Sequence, residues 1–272
     1  MSFSPKLFSK TKYHLSYVPK YAQQYVKLFN WRKKSKILDI GTGPGHLLSL
    51  VEPLFPKDYA EIVCLDKSEK MIKYFDSMKK DPRMKSYKMD IQTAELPNEL
   101  KGRFDFIFSC NTLMYLSDIR QAFDNISQML TRNGELFFIF AKKADVYDFY
   151  KSMSKIEKWA PYMNEFNNWR NYFDTDNPTD VLKTELNRVG IEVLKSEQID
   201  LIFEDDDKQN FIEVYDSLDS ISEDIPETEI LQYKKDYHKA MSHKFIGIRN
   251  GYNRMKYKLD FGSVVVGARK TC

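Results

Sequence analysis

The residues of this 272-residue chain best suited to chemistry lie in one short stretch, Ile37-Leu38-Asp39-Ile40-Gly41-Thr42-Gly43-Pro44-Gly45. An apolar run carrying an acid passes straight into a loop with glycine at every second position. Glycine serves such a loop because a ligand must approach the backbone where a Cβ would collide, and because the turn needs conformations costly for other residues. By itself the pattern is weak. Asp66 strengthens it, since it ends the next apolar run 21 residues beyond Gly45, where an acid can accept hydrogen bonds from two ribose hydroxyls. The pair describes a nucleoside site at the carboxyl ends of two strands.

Two nucleoside cofactors use this geometry. A dinucleotide fingerprint wants Gly or Ala at the third place of G-x-G-x-x-G, close to the sheet and beside a pyrophosphate; that place holds His46. Asp39, two positions before the first glycine, would sit badly beside a pyrophosphate but suits a ligand with a sulfonium and an ammonium group. The residues therefore favour S-adenosyl-L-methionine over NAD. Thr42 and Lys67, next to the loop and to the ribose acid, complete the expected contacts on this side.

Positioning these groups requires a sheet. Lys36 to Ile40, Glu61 to Leu65, Ser86 to Met89, Phe104 to Phe108 and Glu135 to Phe140 read as buried strands. Between the last two, Ile119, Ala122, Phe123, Ile126 and Met129-Leu130 recur at helical spacing, with Asn133-Gly134 as the expected stop. Strand and helix alternating in this way imply right-handed crossovers and a doubly wound α/β sheet, Rossmann-like. An N-terminal helix precedes it, with Tyr17, Val18, Tyr21, Ala22, Tyr25, Val26 and Phe29 on one stripe. After it, rings crowd together: Tyr147, Phe149, Tyr150, Trp159, Tyr162, Phe166, Trp169, Tyr172 and Phe173. A helix to Gly190, a strand-like stretch from Ile191 to Phe203, a polar helical stretch to about Met241 and a last strand around Phe261 to Val266 close the chain.

Composition removes several classes. With 42% hydrophobic, 30% charged and 14% aromatic side chains, disorder is excluded. The formal charge of +3 gives no global basic excess for a nucleic acid, and the run from Trp31 to Lys36 reads as a solvated loop. Cys64, Cys110 and Cys272 are too few and scattered for a disulfide framework or a zinc site, so no metal and a reducing, cytoplasmic setting are expected. No stretch approaches ~18 apolar residues, and Met1 to Lys10 lacks a signal-peptide core, so no stable membrane insertion is expected.

On these residues the chain resembles class I S-adenosylmethionine-dependent methyltransferases. Asp39, Gly41, Gly43 and Gly45 match the family's first motif and Asp66 its ribose acid; Asp90-Ile91 looks like its adenine contact, and Ser109-Cys110-Asn111 lies where it lines the methionine moiety and acceptor. The resemblance implies a seven-stranded sheet whose seventh strand is antiparallel. It also implies one domain, 1–272, comprising a helical cap (1–35), a cofactor core (36–140), an aromatic lid (141–178) and C-terminal elements completing the sheet (179–272). Ser68 to Tyr74, Asp145-Val146-Tyr147, Glu157-Lys158-Trp159, Asn177-Pro178 and Arg188-Val189-Gly190 are similar to insect juvenile hormone acid O-methyltransferases. That likeness implies O-methylation of a hydrophobic carboxylic acid such as farnesoic or juvenile hormone acid. The alternatives are another small-molecule acceptor (fatty acid, phenol or amine) or a non-catalytic binding protein that keeps the fold. A carboxyl of pKa ~4.3 is already ionised at pH 7, whereas a phenol of pKa ~10 needs a base, so such an enzyme needs donors to hold its acceptor. The family's donors are a Gln and a Trp; the matching positions here are His14 and Tyr115, which can donate through an imidazole N–H and a phenol O–H. Tyr17, Tyr147, Tyr150, Trp159 and Trp169 are the expected pocket rings, with core packing as their competing use.

Overall fold

Runs such as Ile37-Leu38 and Ile62-Val63-Cys64-Leu65 have no polar face to turn to water, which suits strands covered on both sides of a parallel sheet. In the computed structural model, which describes residues 5–9, 13–166, 172–244, 246–249 and 255–271, they are such strands. The sheet comprises β1 (Lys36–Ile40), β2 (Glu61–Asp66), β3 (Met84–Lys88), β4 (Phe104–Cys110), β5 (Leu130–Ala141), β6 (Ile191–Asp205), β7 (Ile246–Arg249) and β8 (Met255–Lys270). The helices are α1 (Pro5–Phe8), α2 (Tyr13–Tyr25), α3 (His46–Val51), α4 (Glu69–Met78), α5 (Ile119–Met129), α6 (Val146–Met153), α7 (Pro178–Arg188), α8 (Lys208–Leu218) and α9 (Ile230–Met241).

The strand order is β3-β2-β1-β4-β5-β8-β6, with β7 paired to β8. β1 lies between β2 and β4, parallel to both. The order of connection therefore reverses at β1 and β4, and the crevice beyond the carboxyl ends of strands at such a reversal is where open α/β sheets bind ligands. β8 runs antiparallel to β5, from Glu135 opposite Arg269 to Ala141 opposite Ser263, as expected of the last strand. It is longer than its apolar run, and the short β7 makes the sheet eight-stranded rather than seven-stranded.

Helix α5 buries Ile119, Ala122, Phe123, Ile126 and Met129, and the Asp118 side chain caps it by accepting from the Gln121 N–H at 3.0 Å. It stops at Met129, four residues before the Asn133-Gly134 expected to end it. The Lys270 ammonium donates to the carbonyls of Ser127 and Leu130, satisfying acceptors at the helix end. Leu130 is then free to pair with Phe104. Asn133, at φ 59°, lies in the irregular stretch before β5 resumes pairing at Glu135.

Two compact units divide the chain. One comprises Lys12–Lys143, Asn171–Ile199 and Gly262–Cys272; the other comprises Met1–Thr11, Ala144–Arg170 and Asp200–Phe261. In the first, the α2 stripe is buried through Tyr17, Val18, Ala22 and Tyr25, and Phe29, Trp31, Phe55, Phe106 and Phe108 form a chain of ring contacts. A Cβ at Gly267 of β8 would come within 3.0 Å of Tyr25 and 3.2 Å of Phe29, so the bare backbone lets these rings seat. In the second, Tyr150, Phe166, Tyr233 and Tyr237 pack together around the buried Asp219. That carboxylate accepts from the Tyr233 hydroxyl at 2.9 Å and the Lys234 ammonium at 2.8 Å.

Glu135 holds the first unit together at the foot of β5. Its carboxylate is 4% exposed, accepts from the Arg269 guanidinium at 2.6 and 2.9 Å, and accepts from the Asn30 N–H at 2.7 Å. Glu135→Gln keeps the shape but puts an amide N–H where only acceptors fit. It is expected to lower unfolding stability by ~2–4 kcal/mol, read from urea denaturation, because breaking a buried pair leaves its partners unsatisfied. An unchanged midpoint would remove Glu135 from that role.

Candidate active site

The loop after β1 is sewn to β2. The N–H groups of Gly41 and Thr42 both donate to the Leu65 carbonyl, at 2.8 and 2.9 Å. The Gly43 N–H donates to Asp66 Oδ2 at 2.8 Å, and Asp66 Oδ1 accepts from the Ser68 N–H at 2.8 Å. Each carboxylate oxygen keeps lone-pair capacity for a further donor, such as a ribose hydroxyl. Gly41 has φ +73°, and a Cβ there would collide with the Thr112 side chain. Gly43, at φ +55°, is the opposite case: a Cβ would meet nothing within 4 Å, so its backbone is open to a ligand.

Asp39 is 3% exposed, yet among the described residues no cation pairs with it. Burial pushes its pKa up to about 7, partly opposed by the Thr42 hydroxyl and reinforced by the charge of Asp66. Asp66 is itself raised, chiefly by burial, against the two N–H donors and the nearby exposed Lys67. Two carboxyls short of positive charge at a glycine loop fit a cationic ligand.

The end of β4 closes on the same loop. Ser109 and Thr112 hydroxyls both donate to the Ile40 carbonyl, at 2.8 and 3.2 Å. Between them, the Cys110 thiol is buried and held neutral, first by burial and then by the charge of Asp39. Asn111 takes φ +54°, and its amide side chain meets the Tyr17 hydroxyl of α2, with Nδ2 at 2.9 Å and Oδ1 at 3.2 Å. Cys110 and Tyr115 also lie near Tyr17. Tyr115 is half-buried in the turn Leu113–Tyr115. His14 lies in the first turn of α2, and its side chain falls outside the described residues.

Beyond β3, Asp90 accepts from both the backbone N–H and the amide of Gln92, at 2.9 and 3.2 Å. The Gln92 carbonyl oxygen accepts from the N–H groups of Ser117 and Asp118. Asn125 donates to the carbonyls of the buried Ile91 and of Thr93, at 2.7 and 2.8 Å. This loop is thus fastened to the start of α5. Gln92, Asn125 and Thr112 were not singled out from sequence, whereas Asn111 was, within Ser109-Cys110-Asn111. Asn125 had a signal, a polar residue inside the apolar stripe of α5; the others act through approaches that no local pattern records.

The structure brings Asp39, Gly41, Thr42, Gly43, Gly45, Asp66, Lys67, Asp90, Ile91, Ser109, Cys110, Tyr17 and Tyr115 into one unit. Tyr147, Tyr150 and Trp159 belong to the other. There Tyr150 bonds Ser220, Trp159 donates to Asp236 at 3.0 Å, and Tyr147 packs on Phe166. Trp169 lies outside the described residues.

Residues 38–136 match the family model of the methyltransferase domain. The chain is 24% identical over 263 residues to the juvenile hormone acid O-methyltransferase of Bombyx mori, covering 92% of this chain and 91% of that one. With the strand order and glycine loop already described, the assignment follows. Residues 38–136 are a class I S-adenosylmethionine-dependent methyltransferase domain. The methyltransferase is also 26% identical over 130 residues to the malonyl-[acyl-carrier protein] O-methyltransferase of Bacillus anthracis, covering 48% of this chain and 46% of that one. Among solved structures it resembles the [4+2]-cyclase SpnF, with a TM-score of 0.56 and 15% identity, covering 93% of this chain and 80% of that one. A cyclase on this fold shows that the fold alone does not choose the reaction.

The raised Asp39 carboxyl makes the stability of the methyltransferase depend on pH. Its folded pKa, about 7, stands above the unfolded value of 3.8, so between these values the native state binds more protons than the unfolded chain. Stability from this group falls as pH rises through that window and stays low above it. Asp39→Asn is expected to flatten the fall and to raise the unfolding free energy above pH 7 without cofactor, by an amount on the order of 4 kcal/mol at most, and the melting temperature with it. Thermal melts of both proteins from pH 5 to 8.5 check it, and parallel curves would exclude Asp39 as the source.

Proposed function

We propose that this methyltransferase transfers the methyl group of S-adenosylmethionine to the carboxylate of a hydrophobic acid, with farnesoic and juvenile hormone acids as the leading candidates. The observation that carries the reading is what the two sequence relatives described above have in common. Juvenile hormone acid and a malonyl thioester differ in size and polarity, yet both offer a carboxylate oxygen as acceptor.

The site chemistry supports it. Tyr17 and Cys110 are both held protonated by burial, so neither takes a proton from an acceptor at neutral pH. An acceptor that is ionised in water asks for none. Asp39 is suited to the ammonium group of the cofactor, the Gly41 to Gly45 backbone to its close approach, Asp66 to its ribose, and Asp90 with Ile91 to its adenine. When bound, S-adenosylmethionine supplies a methyl group activated by a sulfonium. His14 and Tyr115 are proposed to donate to the acceptor carboxylate. Holding that oxygen in line is the main contribution asked of the protein, and such positioning can lower a barrier by up to ~7–11 kcal/mol.

Incubation with labelled S-adenosylmethionine and a panel of farnesoic, juvenile hormone and fatty acids is expected to label the acids. Transfer only to phenols or amines would overturn the carboxylate reading. Cofactor binding supplies a separate check. If the ionised Asp39 receives the ammonium, affinity for S-adenosylhomocysteine should fall by up to about tenfold per pH unit below 7, and Asp39→Asn should bind weakly with little pH dependence. Titration calorimetry from pH 6 to 8 reads both, and a flat wild-type profile would remove Asp39 from the contact.

A further inference from the structure

We propose that Tyr17 and Asn111 form a neutral donor pair that receives the acceptor's carboxylate, a role that rests on the carboxylate reading above. The pair stands where the chain departs from its family, since the Gln and Trp expected to hold the acid are His14 and Tyr115 here. Tyr17 follows His14 by three residues on α2, so both positions share a helix face. Tyr17 also lies near Tyr115 and Cys110. The pair therefore joins the helix that carries one position selected by the resemblance to the neighbourhood of the other.

Asn111 adds a second observation. It follows the last residue of β4 at φ +54°, a conformation that costs a non-glycine residue energy and persists only where its surroundings hold it. Its N–H is fixed to the Ile139 carbonyl at 2.7 Å, and the next residue, Thr112, stands against Gly41. The Asn111 amide is thereby held one residue from the glycine loop. It is 7% exposed and Tyr17 is 3% exposed, so this is a polar contact built inside the protein rather than a surface hydrogen bond.

The chemistry of the pair suits a carboxylate facing a sulfonium. A lysine or arginine would neutralise the acceptor and repel the methyl donor, and another carboxylate would repel the acceptor. A phenol O–H and an amide N–H orient an anion without either penalty. Burial keeps Tyr17 protonated, which preserves it as a donor and denies it the part of a base.

Tyr17→Phe removes the hydroxyl and keeps the ring, while Asn111→Gly removes the amide and keeps the backbone conformation. Each is expected to lower kcat/KM for the acid by roughly 10- to 100-fold, the loss of a hydrogen bond to a charged group, with the double variant little worse than either. S-adenosylhomocysteine affinity by calorimetry should change less than about twofold, and inhibition by the alcohol of the same carbon skeleton should be unaffected. A structural role alone would not separate acid from alcohol. Variants within twofold of an active wild type overturn the pair and leave the carboxylate reading standing, as do variants that lose cofactor affinity in step with activity. A wild type that binds S-adenosylhomocysteine but methylates no acid overturns both.

Discussion

The close approach of Thr112 to Gly41 is the constraint on which the site depends. Without a side chain at Gly41, the end of β4 can lie against the end of β1, and the hydroxyls of Ser109 and Thr112 can share the Ile40 carbonyl. Asp39 lies two residues back on β1, buried between its strand partners Cys64 and Phe108. Asn111, one residue from Thr112, is carried to the same place. A methyl group at position 41 would part the strand ends at the reversal in sheet order, where an α/β sheet has its binding crevice.

Much of this was legible in the sequence because it is local. The strand that runs into Gly41, Gly43 and Gly45, the acid ending β2 and the periodicity of α5 each lie within one segment, and pattern reading depends on such segments. The stop of α5 was misplaced because it depends on Lys270, far away in sequence, which satisfies the last carbonyls of the helix. The antiparallel last strand was foreseen, but its full length and its partner β7 were not: Met255 to Asp260 alternates apolar and polar residues, a strand signal of its own that a search for apolar runs such as Val264 to Val266 passes over. Asn111 and Tyr17 illustrate the same limit at the site. Their bond spans 94 residues, and nothing near either one announces the other.

The aromatic excess has a physical account in both units. In the sheet unit, rings fill the layer between α2 and the strands, where Gly267 makes room for Tyr25 and Phe29. In the other, tyrosines supply bulk and a hydroxyl at once, which lets a core of rings enclose the Asp219 carboxylate without leaving it unsatisfied. Ring density in a sequence therefore signals a demand for large side chains, and the partners of their polar atoms decide how much of that demand is structural.

The neutrality of Cys110 carries a consequence for the enzyme's own survival. A thiolate is a far better nucleophile than a carboxylate, and it is the ionised form that reacts. In the cofactor site proposed above, an ionised sulfur near an activated methyl group would invite self-alkylation, ending turnover with a thioether in the protein. Burial near the charge of Asp39 keeps that sulfur in its unreactive form. Burial does most of that guarding, and the carboxyl suited to attracting the donor adds to it.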